Sequence, residues 1–130
     1  MKNKILLLGL FCCSLISAEA QVLLDKGTGK NSFPIVSSST NAVVCFDGKD
    51  ATVVRKSASL LVDDVCRVTG QELKMDESKP GKVSARYAII AGTIGESGWI
   101  DALASGNKID TTAIAGGWER YMIELVNNPV

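Results

Sequence analysis

The sequence predicts a small α+β domain of α/β-like build. It is a mixed β-sheet with a βαβ crossover and two helices packed on it, unfinished at the C-terminal end. Three observations lead there. Ala42-Val43-Val44-Cys45-Phe46 is a continuous β-branched and apolar run, the pattern of a strand covered on both faces. Ala85-Arg86-Tyr87-Ala88-Ile89-Ile90-Ala91 ends in a second such run. Between them Val54, Ala58, Leu61, Val65 and Val68 recur at spacings of four, three, four and three, one apolar face of an amphipathic helix. Strand, long helix and strand make one crossover unit, so 42–46 and 87–91 are expected to run parallel with a right-handed connection.

The elements follow in chain order. Met1-Lys2-Asn3-Lys4 precedes an apolar stretch from Ile5 to Ile16, and Ala18-Glu19-Ala20 places small residues three apart. That is the order of a secretory signal, with cleavage expected between Ala20 and Gln21. The stretch is shorter than the roughly 20 residues that span a bilayer, so no membrane association is expected once the leader is gone. The mature protein would be periplasmic or secreted. Residues 21–32 carry two glycines and little periodicity, and read as a lead-in segment with a short edge strand at Val22-Leu23-Leu24. The domain proper is expected over 33–130. Pro34 suits an edge position in Phe33–Val36, because it lacks an N–H to donate. Ser37-Ser38-Ser39-Thr40-Asn41 is a loop, and Asp47-Gly48 a turn that ends the first buried strand.

Asp50 is the expected N-cap of the long helix, which spans about 18 residues and stops at Thr69-Gly70. Residues 71–82 form a polar connection with a short extended piece at Glu72-Leu73-Lys74. After the second buried strand, Ser97 is the expected cap of a short helix over Trp99–Ala104, ended by Ser105-Gly106-Asn107. Residues 108–117 are a loop. Trp118 to Val126 then alternates, with Arg120, Met122, Glu124 and Val126 on one face and Glu119, Tyr121, Ile123 and Leu125 on the other, which predicts a final strand.

Composition narrows the chemistry. The 130 residues hold 14 basic and 14 acidic side chains and no histidine. Without the leader's Lys2, Lys4 and Glu19 the balance is 12 basic to 13 acidic. The absent imidazole excludes a Ser-His-Asp triad, a Cys-His pair and an HExxH zinc site within this chain. A near-neutral chain with no basic run argues against a nucleic-acid partner. No metal or cofactor is expected. Cys12 and Cys13 leave with the leader; Cys45 and Cys66 remain, and two unpaired thiols are the preferred state, with a single bridge the alternative.

Three candidate sites can be weighed. Gly92-Thr93-Ile94-Gly95-Glu96-Ser97-Gly98 lies between a buried strand and a helix, where nucleotide-binding folds hold phosphate. Its glycines are spaced three apart, it has no Walker lysine, and Glu96 would repel an anion, so a tight strand-to-helix turn is favoured. The carboxylates Asp47, Asp50, Asp63, Asp64, Glu119 and Glu124 form no pair bracketing a cleft; Asp63 and Asp64 project roughly 100° apart on a helix. Trp99 and Trp118 are the candidate carbohydrate contacts, with packing in the core or an interface favoured for both.

The residues just quoted also carry a resemblance. Phe33-Pro34-Ile35-Val36, Cys66-Arg67-Val68-Thr69-Gly70, Ile89-Ile90-Ala91-Gly92-Thr93-Ile94-Gly95-Glu96-Ser97, Ile100-Asp101-Ala102-Leu103 and Ile114-Ala115-Gly116-Gly117-Trp118-Glu119 follow one another in an order that resembles the N-terminal region of glycoside hydrolase family 115, the xylan α-glucuronidases. The likeness covers roughly Phe33 to Pro129. Gly98 departs from it, where the family often has proline, which alters the start of a helix and no chemistry. The resemblance implies a domain similar to the second domain of β-hexosaminidases, standing ahead of a catalytic TIM barrel as its packing partner. The family's whole enzyme removes glucuronic or 4-O-methyl-glucuronic side groups from xylan by inversion. Its catalytic carboxylates belong to the barrel, so no catalytic residue is carried onto any position here. The family continues past Asn127-Asn128-Pro129 with a strand and helix, which implies that this chain is the front of a longer enzyme. The alternative from the residues alone is a free-standing carbohydrate-binding module using Trp99 and Trp118; a nucleotide-binding regulator at 92–98 is a third.

Overall fold

The computed structural model describes residues 32–81, 83 and 85–129. The leader, the Ala20–Gln21 cleavage point and the expected edge strand at Val22–Leu24 lie outside the described residues. The domain is of α/β type: strands β1 (Val43–Phe46), β2 (Lys74–Glu77) and β3 (Ala88–Ile90), with helices α1 (Thr52–Thr69) and α2 (Gly98–Ser105). The sheet order is β2-β1-β3, and both outer strands run parallel to β1. The expected mixed character is confined to one isolated antiparallel bridge, Val36 with Asn41.

β1 is central because it is the most apolar run, and its burial is correspondingly deep: Val44, Cys45 and Phe46 are all buried. Alternation sends Val44 and Phe46 to one face, where they form the core with Ala58 and Val62 of α1 and with Leu73; Val36, Val54, Leu61, Val65, Met75 and Ile89 pack around them. Cys45 turns to the other face. The crossover β1-α1-β2 therefore closes through a strand that the sequence marked only as a short extended piece at 72–74. It starts instead at Lys74 and runs to Glu77. Lys-Met-Asp-Glu has one apolar residue, which lends no periodic signal; the strand forms because Met75 packs on the core beside β1.

The helix stripe is rotated slightly from its expected position. Val62 is buried in place of Val68, which is exposed. An 18-residue helix is about 27 Å long, whereas a four-residue strand covers only about 13 Å. The last turn of α1 overhangs the sheet and Val68 has nothing to pack on. Gly70 ends the helix as expected, in the left-handed region at φ 69°, donating its N–H to Cys66 O at 2.8 Å.

Two capping expectations are corrected. Ala51, not Asp50, holds the N-cap position of α1 and provides no side-chain cap. The Asp50 carboxylate accepts from Ala51 N at 2.7 Å and from Thr93 N at 2.8 Å, tying the turn after β1 to the turn after β3. Ser97 does occupy the N-cap position of α2, but its hydroxyl caps nothing. The final strand is also corrected. Residues 120–126 hold no regular secondary structure and make no backbone hydrogen bond among the described residues, because no neighbouring backbone lies within hydrogen-bonding distance. It leaves the preceding turns through Glu119 at φ 51°. Arg120 hooks back onto Ala113 O at 3.1 Å.

Candidate functional site

In a parallel sheet, ligands bind outside the C-terminal ends of the strands, where connections diverge. Here that region is formed by Asp47 after β1 and by residues 92–98 between β3 and α2. Asp47 Oδ1 accepts from Lys49 N at 3.0 Å, and Asp47 Oδ2 accepts from Gly98 N at 3.1 Å. A carboxylate from the far side of the chain thus sits on the first turn of α2, in the place an anion would take. Those two N–H groups, Lys49 first and Gly98 second, hold the Asp47 carboxyl below the ordinary aspartate range.

The rest of the loop is equally committed. Thr93 N donates to Asp50, and Gly95 N donates to Asp101 Oδ1 at 2.9 Å. Glu96 N and Ser97 N both donate to Thr93 O. Gly95 lies at φ 80°, a conformation that favours glycine. Gly92 serves a close approach instead, since Ser97 and Ile100 pack directly over its Cα. The loop is a strand-to-helix turn whose amides are bound by three of the chain's own aspartates, so a phosphate has neither donors nor favourable charge there. Ser97 Oγ is buried beneath it without a hydrogen-bond partner.

The two tryptophans part company. Trp99 is 1% exposed, and its indole Nε1 donates to Ser78 O at 2.7 Å. It ties α2 to the connection after β2, and its faces are covered by protein. Trp99 is therefore a packing residue, the favoured of its two expected roles, and is not available as a carbohydrate contact. Trp118 is 87% exposed, and so retains a free ring face. The structure does not bring the two rings together on one binding surface.

Among the described residues the candidate carboxylates stand apart or are engaged elsewhere. Asp63, Asp64, Glu119 and Glu124 are exposed, and Asp64 makes a weak contact to Arg67 at 3.5 Å. Glu77 pairs with Arg55. Asp110 accepts from Thr112 Oγ1 and Thr112 N, which lowers its pKa. Asp47 and Asp110 are both shifted away from the raised value that a glycosidase acid requires. Among the described residues no group of three or more His, Cys, Asp or Glu side chains is placed to hold a metal. Within the same residues no helix is long and apolar enough to cross a membrane. Cys45 and Cys66 are both free thiols, the first buried and the second exposed. Burial, followed by the nearby Asp76 charge, pushes the Cys45 thiol up to about 11.

A cleft of about 740 Å³ lies beside β3. One wall is Ala88–Ala91 with Ile100 and Leu103 of α2, and the other is the segment from Tyr121 to Val126. Its lining is overwhelmingly aliphatic. What sequence reasoning missed is Asp47 as a cap for a helix 51 residues further on; only the carboxylate's position just after a buried strand hinted at it. Compared with known proteins, the chain matches no family model and no curated protein.

Proposed function

We propose that this chain is the non-catalytic accessory domain at the front of an exported, family 115-like α-glucuronidase acting on glucuronoxylan side groups. It would pack on the catalytic TIM barrel and shape the mouth of its cleft. The observation that carries the reading is the closed crevice at the sheet's C-terminal ends, where Asp47, Asp50 and Asp101 take up the loop amides. The resembling segments also fall at joints of the fold: Cys66–Gly70 is the stop of α1, Ile89–Ser97 is the end of β3 with its turn, and Ile100–Leu103 lies within α2. Among the described residues such a domain offers surfaces and no acid–base pair. Incubated with glucuronoxylan, the purified protein is expected to release no uronic acid; measurable turnover refutes the proposal.

The exposed Trp118, with Tyr121 also exposed three residues on, favours a second reading, a free-standing carbohydrate-binding module. Xylan titration followed by tryptophan fluorescence separates the two. Saturable binding that disappears in Trp118→Ala supports the module, and an unchanged spectrum supports the accessory domain.

A further inference from the structure

The two edges of the sheet are treated differently. β2 presents Lys74, Asp76 and Glu77, charges of the kind that discourage edge-to-edge pairing. β3 presents Ala88, Ile89 and Ile90, with no charge. Tyr87 O and Ala91 N bond to β1, so the alternation of the strand turns the backbone N–H and C=O of Ala88 and Ile90 away from it. Among the described residues those groups have no hydrogen-bond partner.

The same chain carries the complement of that edge. Residues 121–126 hold no regular secondary structure and make no backbone hydrogen bond among the described residues, and their sequence places large apolar side chains at alternate positions. Tyr121 is 82% and Ile123 90% exposed, with Leu125 half exposed and Trp118 just before them. Within one copy the two features stand on opposite walls of the 740 Å³ cleft. The hook of Arg120 on Ala113 O fixes where the segment starts.

We propose that this edge is occupied by a second copy of the chain: residues 121–126 of each copy add as a strand to β3 of the other, forming a closed two-fold dimer. Strand addition to an open edge takes its affinity from main-chain hydrogen bonds and its specificity from alternate side chains. Both requirements are met on one chain, so reciprocal exchange closes with two identical contacts and leaves neither edge open. The area is adequate. Trp118, Tyr121, Ile123 and Leu125 expose roughly 600 Å² per copy, or about 1,200 Å² for the pair, the lower end of a specific interface. The exposed apolar residues of α1, Val53, Leu60 and Val68, have no such backbone partner and serve as the control surface. The dimer does not depend on the accessory-domain reading.

The test is the mass of the purified protein by light scattering across a concentration series. The expected result is twice the monomer mass at high concentration, with dissociation weakened at least about 30-fold in its favour relative to Ile123→Lys, the loss typical of an interface hot spot. Ile123→Pro, which removes a main-chain donor, should also yield monomer, whereas Leu60→Lys should leave the dimer intact. Ile123 is exposed, so an unchanged helical circular dichroism signal is expected in each variant. A wild-type protein that stays monomeric throughout overturns the proposal. So does a dimer indifferent to both Ile123 variants, one broken by Leu60→Lys, or open-ended growth past the dimer.

Discussion

Replacing Trp99 by phenylalanine gives the sharpest test of how this domain is held together. The indole is buried to 1% exposure and donates to Ser78 O at 2.7 Å. Losing the donor leaves that carbonyl unpartnered, which costs about 1–3 kcal/mol. Shrinking the ring in a site that relaxes only partly adds about 1 kcal/mol. The expected loss is therefore about 2–4 kcal/mol, a large share of the roughly 5 kcal/mol at the low end for a domain of this size. In a thermal melt this corresponds to a fall of roughly 10–20 °C. Urea unfolding followed by circular dichroism of α1 and α2 measures it directly. Trp118→Phe is the internal control, because its exposed ring should move stability by no more than about 0.5 kcal/mol. If Trp99→Phe stays within that same margin, or Trp118→Phe costs as much, then the assignment of one tryptophan to packing and the other to the surface is wrong.

Other outcomes follow from the same loop and core. Gly92→Ala would drive a methyl into Ser97 and to 2.8 Å from Ile100 Cγ1, so destabilisation of about 1–3 kcal/mol is expected. Ser97→Ala should be neutral or slightly stabilising by the same urea assay, since its buried hydroxyl has no partner to lose. Asp47 titrates lower in the folded chain than in the unfolded one, where an aspartate titrates near about 4. As pH falls, the unfolded chain takes up the proton first, so the stabilisation is complete above about pH 4 and drains away below it, toward the folded value. Asp47→Asn should be less stable than wild type at neutral pH, with the gap in urea midpoint closing in acid; parallel pH profiles would contradict this. Cys66 should label immediately with a thiol reagent and Cys45 only on unfolding, as read by peptide mass spectrometry, because Cys45 is buried and its thiol is pushed up to about 11.

The elements legible in the sequence are those with a local cause. Two apolar runs, 42–46 and 87–91, became β1 and β3 because apolar β-branched side chains suit a strand; β1 is buried as expected, whereas β3 is only part-buried, since one side of it faces the open cleft. The four-three spacing produced α1, and Gly70 stopped it through its own backbone freedom. The loop 92–98 was legible as a turn from its glycine spacing and Glu96. The absence of histidine settled which catalytic arrangements were excluded before any folding was considered.

What the tertiary structure alone decided are the relations between distant residues. β2 exists because β1 offered an edge and Met75 found the core, although Lys-Met-Asp-Glu carries no pattern of its own. Asp47 became the cap of α2, and Asp50 a clamp on Thr93 rather than a cap of α1, because the turns after β1 and β3 meet in space. Trp99 and Trp118 are equivalent as letters, yet one is walled in and the other bare. Residues 118–126 alternate as a strand should, but alternation states only which face each side chain takes. A strand also needs a neighbouring backbone at hydrogen-bonding distance, and that is a property of the whole fold.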